Sequence, residues 1–200
     1  VAATATSNIN FKGNLDSRAE IGEDGKHTAD TQIKDSLGNS YTITFGFEKV
    51  SDSQTDGNIW NMTVDKITDQ ATGNYTSKTD NIFDGKGSTI QLTFDSKGKI
   101  KKIGEYDLTA DQPPEFEVFL KELSGITFEN DKEGNPITKD PKPSPSGTFN
   151  DISIFNSKDK ETYNKLTQYA NDMDAKPFAQ DGNSSGKLEG FSIDDKGVVL

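Results

Sequence analysis

The sequence predicts an all-β fold, mainly antiparallel, built as a sandwich or a partly open barrel, with one or two short helices in an insertion. Short runs in which large apolar residues alternate with polar ones have the period of a strand that buries one face. Asp-x-x-Gly segments stand beside several of these runs. They are typical of turns, because Asp accepts a local backbone hydrogen bond and Gly tolerates a positive φ angle.

The strand patterns are clearest in the first half of the chain. The alternating apolar sets are Ile9, Phe11 and Leu15; Tyr41, Ile43, Phe45 and Phe47; Trp60, Met62 and Val64; and Ile90, Leu92 and Phe94. Residues 99–103 predict a further strand. The charged, glycine-rich residues 16–30 and the polar residues 73–80 predict loops.

The Asp-x-x-Gly pattern occurs at residues 35–38, 84–87, 95–98 and 194–197. At residues 35–38 it predicts the turn of a hairpin that extends over residues 33–60. The sequences around the four turns do not match, which indicates recurrent turn chemistry rather than an internal repeat.

Residues 114–123 depart from the β pattern. Phe116, Phe119, Leu120 and Leu123 are spaced i, i+3, i+4 and i+7, with a proline in the first turn. This spacing predicts a short amphipathic helix that packs on the sheet.

The remaining second half is predicted as loops and late strands. The proline-rich residues 130–147 predict an exposed, extended loop, because proline disfavours both helices and central strands. Residues 158–172 fit either a loose helix or a packed loop. The late strand patterns are those of Ile152 and Ile154 and of Phe191 and Ile193.

Composition limits the possible partners. The 200 residues have a formal net charge of -11, so the surface repels phosphate backbones and anionic lipids, and we expect no nucleic acid or membrane partner. The chain has no Cys, which excludes disulfides, thiolate metal sites and cysteine nucleophiles. It begins at Val1 and ends on a strand-like run, so we expect both ends to be cuts within a longer protein.

No catalytic, cofactor-binding or metal-binding residue is predicted, and we expect no enzyme and no cofactor. His27 is the only histidine and is expected at the surface. Residues 52–57 resemble the start of a calcium loop, but the third position is Gln54 and the twelfth is Thr63, so a hairpin loop fits better. Asp194 and Asp195 form a carboxylate pair within a turn, as expected by chance in an acidic chain.

The aromatic residues leave a second interpretation open. Trp60 and the tyrosines could line a sugar-binding face, or they could belong to the core or to strand edges. The first possibility corresponds to an extracellular carbohydrate-binding or adhesin-type β module. Saturable binding of glycans or calcium would support such a module.

Four stretches resemble the bacterial flagellar hook protein family, mainly its outer domain. They are the Ala/Thr-rich residues 2–6 leading to Asn14-Leu15-Asp16-Ser17; the hairpin at residues 34–49 with the following Trp60; the Leu92-to-Ile100 hairpin; and residues 180–199. Each is only a β-turn signature, but their order and spacing agree jointly. The resemblance does not extend across residues 105–148.

The resemblance implies a domain division and a function. Residues 1–183 would be the outer hook domain, with an insertion at 105–148, and residues 184–200 would return toward the inner domain. Such proteins are exported by the flagellar secretion apparatus and polymerise into the extracellular hook, a curved tube that transmits motor torque as a universal joint. Its outer domains make contacts that slide as the tube bends.

The resemblance also implies partners. These are further copies of the same protein, with rod and hook-associated proteins at the two ends of the tube. We expect the isolated chain to be a monomer. A related rod or cap component of the same organelle remains a further alternative.

Overall fold

The computed structural model describes residues 2–53, 57–179 and 181–184, and in these residues the all-β prediction is confirmed. The strands are β1 (Asn10–Asn14), β2 (His27–Lys34), β3 (Ser40–Ser53), β4 (Gly57–Asp69), β5 (Tyr75–Thr76), β6 (Ile90–Phe94), β7 (Ile100–Ile103), β8 (Tyr106–Asp107), β9 (Glu117–Phe119), β10 (Ser153–Asn156), β11 (Lys165–Thr167) and β12 (Lys176–Phe178). Two short 3-10 helices are Glu23–Gly25 and Lys160–Thr162. No helix in the described part of the chain is long and apolar enough to cross a membrane.

One antiparallel sheet forms the frame of the molecule. Its strand order is β2-β3-β4-β6-β7-β8, and β5 joins the far end of β4. The long strands β3 and β4 carry the alternating apolar residues that predicted them. Phe45, Phe47, Trp60 and Met62 are all fully buried, so one face of this sheet forms the core.

Two small sheets cover that face. One has the order β11-β1-β12, with β1 and β11 parallel, and the other pairs β9 with β10. The ring of Phe11 on β1 lies with its centroid 5.0 Å from that of Phe45 and 5.1 Å from that of Phe155 on β10. Layers that pack in this way make a sandwich rather than a closed barrel.

A β-bulge in β4 keeps its apolar residues on one face. Thr44 pairs with Lys66 and Phe45 pairs with Val64, which leaves Asp65 as the extra residue. Val64 and Ile67 are three residues apart, and in a regular strand this odd separation would place them on opposite faces of the sheet. The bulge puts both on the buried face.

The extra residue of the bulge forms an ion pair on the outer face of the sheet. The Asp65 carboxylate lies 2.9 Å from Lys26 Nζ. This pair crosses over Gly46, where a Cβ atom would lie only 2.7 Å from Asp65 Oδ2. The glycine in the middle of β3 is therefore required by the ion pair.

The helix predicted at residues 114–123 is wrong. This stretch contains β9, which pairs antiparallel with β10. Phe116, Val118 and Leu120 are buried with a period of two, and the helical spacing of the other apolar residues is coincidental. A short apolar run is ambiguous in sequence, and here the available strand partner decides the outcome.

Three further expectations have mixed outcomes. Residues 158–172 form a packed loop with one short 3-10 helix and β11, so the helical alternative is wrong. The loop predicted at 16–30 ends early, because β2 begins at His27. Strand β2 lies at the edge of its sheet and lacks the regular apolar alternation that would predict a strand. The proline-rich residues 130–147 are mostly exposed, as predicted. The strand at Phe191 and Ile193 and the turn at 194–197 lie outside the described residues.

Candidate functional site

The turn between β2 and β3 holds a densely connected polar centre around the buried Asp35. Locally it is the predicted Asp-x-x-Gly turn: Gly38 N donates to Asp35 O at 3.0 Å, and Gly38 has a φ of 86°. Asp35 Oδ1 accepts from Leu37 N at 2.9 Å and from Asn39 N at 3.0 Å. The first carboxylate oxygen therefore closes the turn, as the sequence indicates.

The second carboxylate oxygen makes contacts that the local sequence does not indicate. Asp35 Oδ2 accepts from Tyr41 Oη at 2.8 Å, from Asn39 Nδ2 at 3.0 Å and from Gly147 N at 3.2 Å. The side chain is completely buried. Gly147 lies 112 residues away in the segment between β9 and β10, so one carboxylate joins two distant parts of the chain.

The surroundings favour the ionised carboxylate. Burial by itself would raise the pKa of Asp35, but hydrogen bonds from Asn39, Tyr41 and Leu37 outweigh it and hold the pKa below its usual value. Burial and the bond to Asp35 raise the pKa of the Tyr41 phenol, which stays protonated as a donor. The site is a charge-assisted hydrogen-bond cluster with a structural role.

Residues 120–152, here called the β9–β10 segment, dock on this turn. Ser36 N donates to Thr148 O at 2.7 Å, and Thr148 N donates back to Ser36 Oγ at 2.9 Å. At Gly147 a Cβ atom would lie 2.6 Å from Asp35 Cγ, so only glycine fits against the carboxylate.

Aromatic packing supports the same contact. The Tyr41 ring is stacked at 6.1 Å on Phe128 and lies 5.1 Å from Phe149, which both belong to the β9–β10 segment. Farther along, Asn130 and Tyr75 exchange two backbone hydrogen bonds. The β9–β10 segment is therefore attached to the main sheet at more than one point along its length.

Trp60 and His27 make packing and hydrogen-bond contacts within the fold. Trp60 is fully buried and donates from Nε1 to Gln168 Oε1 at 2.8 Å, so it belongs to the core and not to a sugar-binding face. His27 is half-buried rather than freely exposed, because Nε2 lies 2.7 Å from Ala175 O and its ring stacks on Phe47.

The calcium-loop candidate falls within the β3–β4 hairpin. Asp52 pairs in register with Asn58, and its carboxylate lies 3.4 Å from Lys49 Nζ. Residues 54–56, Asp194 and Asp195 lie outside the described part of the chain. Within that part, no group of three or more His, Asp or Glu side chains is arranged to hold a metal ion.

Two open grooves lie on either side of the β7–β8 hairpin. One, of about 670 Å³, is bordered by β7, residues 113–116 and residues 157–169. The other, of about 710 Å³, is bordered by residues 85–91, residues 102–106 and Val118. Phe116 lines the first groove and Tyr106 lines the second, and the two rings are stacked with their centroids 4.7 Å apart.

Comparison with known proteins gives a consistent match. Residues 8–183 match the family described as Flagellar basal body protein FlaE D2 domain. The chain is 26% identical over 210 residues to "Flagellar hook protein FlgE" of Treponema pallidum (strain Nichols), a match that covers 100% of this chain and 42% of the relative.

A second relative gives the same result. The chain is 26% identical over 209 residues to "Flagellar hook protein FlgE" of Borreliella burgdorferi, covering 99% of this chain and 39% of the relative. The chain thus spans about two fifths of the length of the curated relatives it matches.

Proposed function

The chain belongs to the Flagellar basal body protein FlaE D2 domain family, and we propose that it is the outer domain of a flagellar hook subunit. The observation that carries this proposal is the family match over residues 8–183, together with two relatives that are both named hook proteins. The role is structural and not enzymatic. In this role the subunit is exported by the flagellar secretion apparatus and lies outside the cell, in the hook.

The domain division follows from the same premise. Residues 1–183 are the outer domain with an insertion at 105–148, and residues 184–200 return toward an inner domain. The two ends of the described chain support this: Thr4 and Asn183 exchange backbone hydrogen bonds of 3.1 and 3.0 Å. Asp181 also accepts from Ser7 N and Asn8 N. A domain whose first and last segments pair in this way can be carried on a single double-stranded connection.

The surface suits contacts that slide. Among the described residues, the large apolar side chains that are well exposed are Ile21, Leu37 and Tyr169. With 33 acidic against 22 basic residues, like copies repel one another over most of their surface. Contacts between copies are then small and polar, which permits a tube of such subunits to bend while it transmits torque. Rod and hook-associated proteins are the partners at the ends of that tube.

The isolated chain is therefore a monomer at micromolar concentration. Sedimentation equilibrium measures this directly, and a tight dimer would contradict weak, sliding contacts.

Immunogold labelling tests the location. Antibodies raised against the 200-residue chain are applied to purified flagella with intact hooks and basal bodies. Label along the curved hook supports the proposal. Label confined to the rod or the distal cap would instead support a related component of the same organelle, and absence from the flagellum would overturn the proposal.

The carbohydrate-binding alternative has lost its main aromatic candidate, since Trp60 is buried. Titration of the isolated chain with a glycan panel tests it independently. Saturable binding would revive that alternative whatever the labelling shows.

A further inference from the structure

We propose that the groove between β7, residues 113–116 and residues 157–169 is a docking site for an acidic loop of a second copy of this chain. This inference rests on the proposed function, because it names the contact by which outer domains of neighbouring subunits meet. The groove is called the basic groove below, and the loop at residues 20–24 is called the acidic loop.

The charge of the groove is opposite to that of the chain. Lys99, Lys158 and Lys160 line it, against the single carboxylate of Glu115. All three lysines are exposed, and none forms an ion pair with a carboxylate of the described residues. A cluster of unpaired ammonium groups on a protein of net charge -11 is the surface that an acidic copy would contact.

The groove also offers apolar contact area. Pro113, Pro114 and Tyr169 line it and are exposed, whereas Phe116 and Leu166 also line it but are buried. Tyr169 is 45% exposed, although most large apolar side chains of the described residues are buried. Aromatic and proline side chains in a concave surface supply contact area with little entropy loss, which favours a protruding apolar side chain as the occupant.

The acidic loop has the complementary features. Ile21 is 54% exposed at its tip, and Glu20, Glu23 and Asp24 around it are exposed as well. Its three carboxylates match the three lysines of the groove in number and sign. Of the three well-exposed large apolar residues, one therefore lies at this tip and another lies in the groove.

The loop is held in shape before any contact forms. Gly22 N donates to Lys49 O at 3.0 Å, and Gly25 N donates to Gly22 O at 3.2 Å. A Cβ atom at Gly25 would lie 2.1 Å from Glu20 O, so the backbone is closely packed there. A loop with a fixed conformation loses little entropy on binding.

The geometry of such a contact fits a polymer. When the loop of each copy occupies the groove of the next copy in turn, the contact is heterologous, and contacts of this kind generate rings or open helical arrays rather than closed dimers. Because one loop buries far less than a standard interface, each contact is weak. The contact can therefore form and release as neighbouring subunits move.

Disulfide trapping in assembled hooks tests the contact. The chain has no Cys, so Ile21→Cys and Lys158→Cys are introduced together into the full-length subunit, with any cysteine elsewhere replaced. Oxidised hooks are expected to give a ladder of linked dimers, trimers and longer chains on a non-reducing gel. The matched control pairs Lys158→Cys with Leu37→Cys. Leu37 is 60% exposed but lies outside the acidic loop, so this pair is expected to give no ladder.

A charge exchange provides the second readout. Two double variants are each expected to reduce swimming: Lys158→Glu with Lys160→Glu in the groove, and Glu20→Lys with Glu23→Lys in the loop. The fourfold variant that combines them is expected to restore swimming. Circular dichroism melting of the isolated variants confirms that these exposed changes leave the fold intact.

The outcomes separate the two proposals. A ladder no stronger than that of the control, or losses that merely add in the fourfold variant, would overturn the groove contact. Antibody label along the hook would still support the hook function in that case. Label elsewhere would remove the hook function itself.

Discussion

The turns at Asp35 and Asp95 have the same local hydrogen bonds and very different surroundings. In both, the Asp N–H donates to the carbonyl four residues later, the Gly N–H donates back to the Asp carbonyl, and Oδ1 accepts two backbone N–H groups. Asp35 is fully buried, and its carboxylate also accepts hydrogen bonds from Tyr41 Oη and Gly147 N. The described hydrogen bonds of the Asp95 carboxylate stay within its own turn.

Both turns hold a distant segment through backbone hydrogen bonds, but only the Asp35 turn adds a bond from its carboxylate. The Asp95 turn contacts the chain near β11 through its backbone, since Gln168 N donates to Gly98 O at 2.9 Å. A Cβ at Gly98 would lie 2.5 Å from the Tyr169 ring. The comparison shows that one local motif can serve either as a simple turn or, when its carboxylate is buried, as the anchor of a long segment.

The largest effect is expected for Asp35→Ala. It leaves the buried donors of Tyr41 and Gly147 without an acceptor, so the free energy of unfolding should fall by about 4 kcal/mol. Asp95→Ala is the matched control, with a loss of about 1 kcal/mol because water can replace the partly exposed carboxylate. Urea unfolding of both variants measures the difference, and equal losses would contradict the distinction between the turns.

Gly147→Ala should come next. The added methyl group would meet Asp35 Cγ at 2.6 Å, so the β9–β10 segment must shift, at a cost of about 2 kcal/mol. Gly125→Ala is the control, because nothing lies within 4 Å of its Cβ position. Hydrogen exchange at Ser36 N should accelerate in the first variant alone. Unchanged protection there would argue against docking through Gly147.

Tyr41→Phe isolates one hydrogen bond to the anchor. The phenyl ring keeps its stacking on Phe128 and its tilted contact with Phe149, while Asp35 loses the Oη donor. The expected loss of unfolding free energy is about 1.5 kcal/mol, the usual size for a hydrogen bond to a charged group. No measurable loss would mean that the ring packing, and not the hydrogen bond to Asp35, holds the segment.

The smallest effect concerns pH. The folded pKa of Asp35 lies below its unfolded value of about 3.9. Its contribution is therefore present above that value and is lost as pH falls through the folded pKa. Asp35→Asn should be less stable than the parent chain at pH 7, and the difference should shrink below about pH 4. A difference that stays constant down to acid pH would show that ionisation plays no part.

Some features could be predicted because their signals are local. The strands at Tyr41–Phe47 and Trp60–Val64 follow from alternation alone, and the Asp35 and Asp95 turns follow from Asp and Gly at fixed spacing. The structure has a further turn of this kind in the proline-rich region, where the composition predicts only an extended loop. Asp131 and Gly134 make the same four hydrogen bonds, and the Asp-x-x-Gly spacing is visible in the sequence.

Other features have no local signal. At Asp84 the turn is centred one residue earlier than its motif indicates, because Lys86 N donates to Phe83 O. The bulge at Asp65 shifts the inward face of β4, and its reason lies in the pairing with β3. Strand β9 exists because β10 offers it a partner.

Local sequence signals are enough to predict the fold class, the positions of the main strands and the conformation of the turns at Asp35 and Asp95. These depend on the side-chain period of a strand and on backbone bonds within five residues. Which of these turns anchors a distant segment depends on tertiary packing, since burial of the Asp35 carboxylate requires Gly147 from 112 residues away. Contacts at that separation arise from packing of the whole chain, and no local pattern encodes them.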